Sequence, residues 1–381
     1  MSWEYVTLDK LGSVSRGKSK HRPRNDKSLF GGKYPFIQTA DVKAAGLYLT
    51  EYSETYSDKG LAQSKLWPAG TLCITIAANI ADTTILGIDA CFPDSVMGFI
   101  PYEGVSNVKF VKYAFDILQR DCKKISQGTA QDNLSWKKLS TIKFPAPDIE
   151  VQDKIVSILA VYDDLIENNN KQIRLLEEAA QRLYKEWFVD LRFPGYEGTE
   201  IADGVPEGWK KHHIDDVFHI KYGKTLPTSK ITKEGKYPVY GANGVIGFYL
   251  EKNVDDYVVL ITSRGNGSGD VLRTHDKESF VTNNSFIVKP YDHSIRLPFI
   301  HQLMKNTDFK NICTGSAQPQ LTNNSISTLL VLLPSCELIS QFCDIESSWY
   351  EKIEMLLTQN RLLSQARDRL LPKLMSGEIE V

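Results

Sequence analysis

The chain has 381 residues, 42% of them hydrophobic and 24% charged, with a formal net charge of −2 at neutral pH. That length holds two or three domains and that composition is ordinary for a soluble globular protein; the charge balance excludes a basic character spread over the whole chain, though not a local basic patch. The six cysteines form no Cys-x-x-Cys pair, the opening Met-Ser-Trp-Glu-Tyr has no signal-peptide character and no run of eighteen apolar residues occurs, so a cytoplasmic protein without zinc, disulfides or a membrane span is expected.

From the start, Leu8, Leu11 and Val14 lie in a short element that runs into Arg16-Gly-Lys-Ser, where Arg16, Lys18, Lys20, His21, Arg22, Arg24 and Lys27 crowd together. Thr71–Ile76 is a short β-rich run, and Phe110–Lys124 reads as a helix. In Val151–Phe188, Ile155, Ile158, Leu159, Tyr162, Leu165, Ile166, Ile173, Leu176, Ala180, Leu183 and Trp187 recur at steps of three and four, one apolar stripe on a long helix. With Ile155 at heptad position a, Tyr162, Asn169, Leu176 and Leu183 also fall at a, giving about 38 residues and roughly 57 Å of helix. A helix this long and narrow-faced needs a partner helix, and Asn169 reads either as a polar residue that fixes its register, the reading favoured, or as a solvent-facing one. Residues 189–208, rich in Gly, Pro and acids, read as a linker.

A second copy follows. Trp209 to Thr225 repeats the opening with Ile214, Val217 and Ile220 before Gly223-Lys-Thr, and Lys221, Lys224, Lys230, Lys233 and Lys236 fill the equivalent basic strip. Tyr257–Thr262, Ser279–Thr282 and Ser285–Val288 are β-rich, and Leu297–Asn306 reads as a helix. The stripe then returns 187 residues on as Phe342, Ile345, Trp349, Ile353, Leu356, Leu363, Ala366 and Leu370, predicting a second long helix over 336–377. Gly128–Leu134 lies over Gly315–Leu321 at the same offset, whereas Gly32-Lys-Tyr-Pro35 matches Gly235-Lys-Tyr-Pro238 at 203 and the openings match at 206. The first copy is therefore 19 residues longer in its middle. Repeats of this length are duplicated domains, and the expected fold is α+β: mixed α/β domains over 1–150 and 209–335, each followed by a long helix, 151–188 and 336–377.

Catalytic patterns are sparse. Gly12 to Ser19 matches the phosphate-loop pattern G-x-x-x-x-G-K-S, but such a loop needs a strand leading in and a helix leading out, and Lys20-His-Arg-Pro-Arg is no helix start. A nucleotide hydrolase using Lys18 and Ser19 stays open as an alternative, as does a non-catalytic scaffold that binds protein only. The glycine-dense Arg264–Asp270 allows close backbone approach to a ligand, or serves only as a tight turn. No Pro-Pro-aromatic methylase motif, His-Glu-x-x-His or Gly-x-Ser-x-Gly occurs. What remains is a basic, loop-rich strip in each copy, suited to neutralising a phosphate backbone.

By its doubling, by Trp209 through Gly223-Lys-Thr, Asn283-Asn-Ser-Phe-Ile-Val-Lys-Pro290 and Gly315-Ser-Ala-Gln-Pro-Gln-Leu321, and by Pro334 leading into a long helix, the chain resembles the specificity subunits of type I restriction-modification systems. The likeness covers nearly all of it. The first copy departs, with Ala78–Asp82 for the glycine-rich turn and Asp94–Met97 for Asn-Asn-Ser-Phe. The resemblance implies a non-catalytic DNA-recognition subunit whose two target recognition domains each read half of a bipartite duplex site. It also implies that the two long helices pair antiparallel as a spacer and dock methyltransferase and restriction subunits. S-adenosylmethionine, ATP and magnesium then belong to those partners, with none on this chain. The expected DNA contacts are Lys18, Lys20, Arg22, Arg24 and Gln131 in the first copy and Lys224, Arg264, Asn266 and Gln318 in the second. The expected helix-pairing positions are Ile155, Tyr162, Asn169, Leu176, Leu183, Phe342, Trp349, Leu356, Leu363 and Leu370.

Overall fold

The computed structural model describes residues 3–77, 80–126, 134, 136–315 and 319–381, and of residues 120, 121 and 123–126 the backbone alone. The chain divides into two compact units, Met1–Asn170 with Thr358–Val381, and Lys171–Leu357.

In the first unit a five-stranded sheet runs in the order Gly12–Arg16, Val96–Pro101, Leu72–Thr75, Thr83–Leu86, Tyr48–Leu49, antiparallel except for its last pair. Side chains alternate along these strands: Leu72, Ile74, Ile85 and Phe99 enter a core with the helix Val108–Ser126, whereas Cys73, Leu86 and Val96 enter a second core with Trp67 and Phe92. Burial on both faces explains why Thr71–Ile76 reads as a nearly unbroken apolar run. A four-stranded sheet, ordered Glu54–Tyr56, Phe30–Phe36, Ala90–Cys91, Leu66–Trp67, completes the body.

The second unit repeats the plan with fewer parts. Its main sheet is ordered Phe218–Tyr222, Ser285–Pro290, Val259–Thr262, Val271–Arg273, its helix is Leu297–Lys305, and its smaller sheet is ordered Gly244–Tyr249, Tyr237–Gly241, Phe280–Val281. In both units the strand carrying the Tyr-Pro of Gly-Lys-Tyr-Pro pairs parallel with a short strand, Phe36 with Cys91 and Val239 with Phe280. The lysine sits over the following tyrosine ring in each, at 5.2 Å for Lys33 and 4.9 Å for Lys236.

The long helices span Ile149–Tyr184, continued by a π turn at Lys185–Val189, and Cys336–Met375. Ile155, Asn169, Phe342 and Leu356 are buried, and Tyr162, Leu176, Leu183, Trp349, Leu363 and Leu370 half-buried. The stripe needs a correction: Ile158, Leu165 and Ile345 are exposed at 37%, 41% and 41%. The stripe positions Leu159, Ala180, Trp187 and Ile353 are buried, and so is Glu346, which lies outside the stripe. The cause is that each stretch of helix is covered by the body of the unit it belongs to as well as by a helix, so the buried face is wider than a two-position seam.

In the first unit Ile155, Leu159, Leu371 and Leu374 share the core with Phe110 and Phe144. Asp163 accepts from the Tyr113 hydroxyl and from Arg367 Nη1 at 2.5 Å. Asn169 donates to Gln359 Oε1 at 3.1 Å and Asn360 Oδ1 at 2.9 Å. In the second unit Phe342 is ringed by Tyr184, Trp187 and Phe188, with centroids 5.1–6.0 Å away. The connector is more than bare chain: Phe193 packs on Trp209 at 5.2 Å, and Ile201–Ala202 pairs with Val205–Pro206.

Glu346 is the polar exception on the second helix. It is fully buried, Gln302 Nε2 donates to its Oε1 at 2.9 Å, and among the described residues its Oε2 has no partner. Burial raises its pKa from 4.5 to about 7 against the opposing pull of Gln302 and Arg273. The folded protein therefore holds a proton that the unfolded chain releases near pH 4.5. Stability should fall as pH rises from about 4.5 to about 7, by up to roughly 3 kcal/mol, and this loss is complete above the folded pKa. Denaturant unfolding across that range should show the slope in the natural protein and lose it in Glu346→Gln.

Candidate nucleic-acid interface

The glycine before the lysine of each basic strip has a structural cause. At Gly17 a Cβ would lie 2.3–2.4 Å from the carbonyl oxygens of Phe92 and Pro93, and at Gly223 the same distance from those of Val281 and Thr282. The chain crosses here at a spacing only glycine allows. The following amide is held in both units, Lys18 N–H by Phe92 O and Lys224 N–H by Val281 O, so the two lysines occupy equivalent places at a strand end. The phosphate-loop pattern is thereby corrected. Gly12–Arg16 is itself a strand paired with Val96–Pro101, and the next helical element after Ser19 is a single turn at Lys27–Leu29. Among the described residues, Gly17-Lys-Ser therefore lacks the helix that a phosphate loop leads into.

In the second unit the expected residues come together. The Asn283–Asn284 turn joins Lys224 to the glycine loop: Asn283 N–H donates to Lys224 O at 3.1 Å, and Ser263 N–H to Asn284 O at 2.8 Å. Arg264 and Asn266 are exposed on that loop, which is closed by Asp270 N–H to Gly267 O at 2.8 Å. The loop is tied to the segment before the second long helix by Gly265 N–H to Pro319 O at 3.1 Å and Leu321 N–H to Ser263 O at 2.8 Å. Among the described residues no ion pair engages Lys224, Lys230, Lys233 or Arg264, so their charge is available. Gln131 and Gln318 lie outside the described residues.

The first unit holds its cations differently. Arg24 is bound by both oxygens of Asp94 at 2.8–2.9 Å, and Arg22 Nη1 donates to the carbonyls of Ser19 and His21 at 2.7 and 2.8 Å. Asp26 takes His21 at 2.9 Å and Lys59 at 3.5 Å, and hydrogen bonds from Ser28 hold its carboxyl well below the usual range. Lys18 and Lys20 are exposed. Lys65 stands 3.4 Å over the Trp67 ring, and burial with the nearby Lys18 charge lowers its pKa. Next to this strip an open cleft of about 700 Å³ is edged by Arg24, Asn25, Lys27, Gln38 and Glu54. The carboxylates of Asp26 and Asp94, neither of them anticipated, decide how much positive charge this face presents; Asp94 is 70 residues from Arg24, and no local pattern joins them.

The two loops that follow the central strands are also equivalent. Thr75 N–H bonds Asp82 O and Ala81 N–H bonds Thr75 O, as Thr262 N–H bonds Asp270 O and Gly269 N–H bonds Thr262 O. Ala81 has φ 60° where the second copy has Gly269 at φ 88°, so the left-handed closing position survives the loss of its glycine. Among the described residues no group of three or more His, Cys, Asp or Glu is placed to hold a metal, and no helix is long and apolar enough to cross a membrane.

Residues 1–178 and 206–345 match the family described as type I restriction modification DNA specificity domain. The chain is 26% identical to the type I restriction enzyme MjaIX specificity subunit of Methanocaldococcus jannaschii, covering 100% of this chain and 94% of that one. It is 24% identical to the type I restriction enzyme HindI specificity subunit of Haemophilus influenzae, over 97% and 98% of the two chains. The crystal structure of a type-I restriction-modification system S subunit from M. genitalium shares the fold, with a TM-score of 0.57, 20% identity and coverage of 98% and 96%.

Replacing Gly223 by Ala forces two backbone carbonyls apart and should cost roughly 2 kcal/mol or more in denaturant unfolding, whereas Ala at Gly198, with open space around it, should be near neutral. In titrations of duplex DNA across salt concentrations, Lys224→Ala should weaken binding to all sequences alike and lower the salt slope by about 1. Arg264→Ala should cost about 1–3 kcal/mol and relax base preference at one position.

Proposed function

The chain belongs to the type I restriction-modification DNA specificity family, and we propose that, as the non-catalytic DNA-recognition subunit of such a system, it reads a duplex target in two parts, one with each unit. The observation that carries this is the recurrence of one site: a lysine after a cramped glycine, beside a loop closed by the same backbone hydrogen bonds, in both units. The sequences on those two frames differ, with Arg264 and Asn266 on the second loop and Asn79 but no arginine on the first, which supports two parts of the target that differ in sequence.

The long helices are proposed to pair antiparallel as a coiled coil. The order of contacts supports this, since residues 163, 169 and 184 of the first helix meet 367, 359–360 and 342 of the second. Exposed apolar side chains on them, Ile158, Val161 and Leu165 on the first and Met355 and Leu362 on the second, support a further role in docking helices of methyltransferase and restriction subunits. S-adenosylmethionine, ATP and magnesium are then partner cofactors.

Methylated adenines mapped in the source genome with and without this gene should differ by one asymmetric two-part motif. Exchange of residues 209–335 for those of a relative should change one part of that motif and leave the other. An unchanged methylation pattern on deletion would refute the reading.

A further inference from the structure

The second unit exposes an apolar pair that neither its core nor its helices use. In the hairpin of Tyr237–Gly241 and Gly244–Tyr249, Val239 faces Gly247 and Tyr240 faces Val245, so Ile246 is an extra residue in a β-bulge. A bulge re-aims side chains. Here it leaves the consecutive Val245 and Ile246 both about half exposed, with Leu250 beyond them more so. Consecutive exposed β-branched residues on an edge strand invite aggregation unless something covers them.

Their surroundings say what does. The turn at Ala242–Asn243 is fixed to the DNA-facing loop by Thr262 Oγ1 donating to Ala242 O at 2.6 Å. On the other edge Thr232 and Phe248 exchange backbone hydrogen bonds at 2.9 and 3.0 Å, which lays the strip of Lys230, Lys233 and Lys236 along the hairpin. Gly247 permits that approach, since a Cβ there would meet Ile231 and Thr232 within 2.7 Å. Exposed lysines thus run along the hairpin's edge, and its turn is tied to the strand end that leads into the loop of Arg264 and Asn266. A two-stranded ribbon fits the major groove, where the one apolar feature on a base edge is the thymine 5-methyl group.

We propose that this hairpin enters the major groove and that Val245 and Ile246 determine specificity by packing on thymine methyls. In the first unit the element after Gly-Lys-Tyr-Pro is the helix Thr39–Ala44 with Val42 buried, so this readout belongs to one part of the target only. The inference rests on the two-part reading above.

The test uses the chain assembled with its methyltransferase subunits and duplexes in which each thymine of the part read by residues 209–335 is replaced in turn by deoxyuridine. At one or two positions the natural protein should bind about 4-fold more weakly per methyl removed. A Val245→Ser, Ile246→Ser double variant should lose that discrimination while keeping its salt slope and melting temperature. No effect of any replacement, or a target part without thymine, overturns the inference and leaves the two-part reading standing. An equal loss by the variant on thymine and uracil duplexes points to a wedge between base steps and also overturns it. A complex without sequence preference removes both.

Discussion

Neither recognition body closes its own core. In the first unit the inner face of the main sheet and the helix Val108–Ser126 leave an apolar surface that is covered by Ile155 and Leu159 from one long helix and Leu371 and Leu374 from the other. In the second, Phe286, Phe299 and Leu303 are covered by Tyr184, Trp187, Phe188 and Phe342. Burying large apolar side chains is worth about 1.5–3 kcal/mol each, so the helices are a structural part of each body. The same requirement makes the helices broad-faced, with Leu159 and Glu346 buried beside the exposed Ile158 and Ile345.

Within that apolar contact each unit places one polar knot at the same heptad position. In the first it is Asp163, gripped by Tyr113 and Arg367; 187 residues later it is Tyr350, whose hydroxyl lies 2.6 Å from His301 Nδ1. Burial keeps His301 neutral, so the hydroxyl donates to it. Arg273, itself nearly buried, pairs with Glu354 and stacks over the Tyr350 ring at 4.1 Å. Polar groups that are expensive to leave unpaired fix the angle at which body meets helix more narrowly than leucines do.

The sequence made the helices and the duplication plain because both are long-range periodicities that survive divergence. Strands such as Leu72–Thr75 and Val259–Thr262 were also legible, being buried on two faces and rich in β-branched residues. Two-residue strands such as Tyr48–Leu49 and Ala90–Cys91 were not, since their pairing is parallel and set by tertiary contacts. The phase of the helix stripe was ambiguous because Ile158 and Leu159, and Leu165 and Ile166, are apolar neighbours. In the candidate interface, residue type pointed to Lys224, Arg264 and Asn266, which the fold gathers, but not to the carboxylates of Asp26 and Asp94 that occupy the first unit's cations. Glycine was visible at position 17; that it answers to two carbonyls 75 residues away was not.

The first unit takes Thr358–Val381 into its core, while the second is built from the continuous stretch Lys171–Leu357. On the ribosome the later body can therefore complete itself before the earlier one. At about 5–20 residues per second, the opening body waits of order ten seconds or more with Phe110, Ile155 and Leu159 uncovered. A chain cut between Leu357 and Leu371 would leave the core of the earlier body open while the later one keeps every residue it is built from.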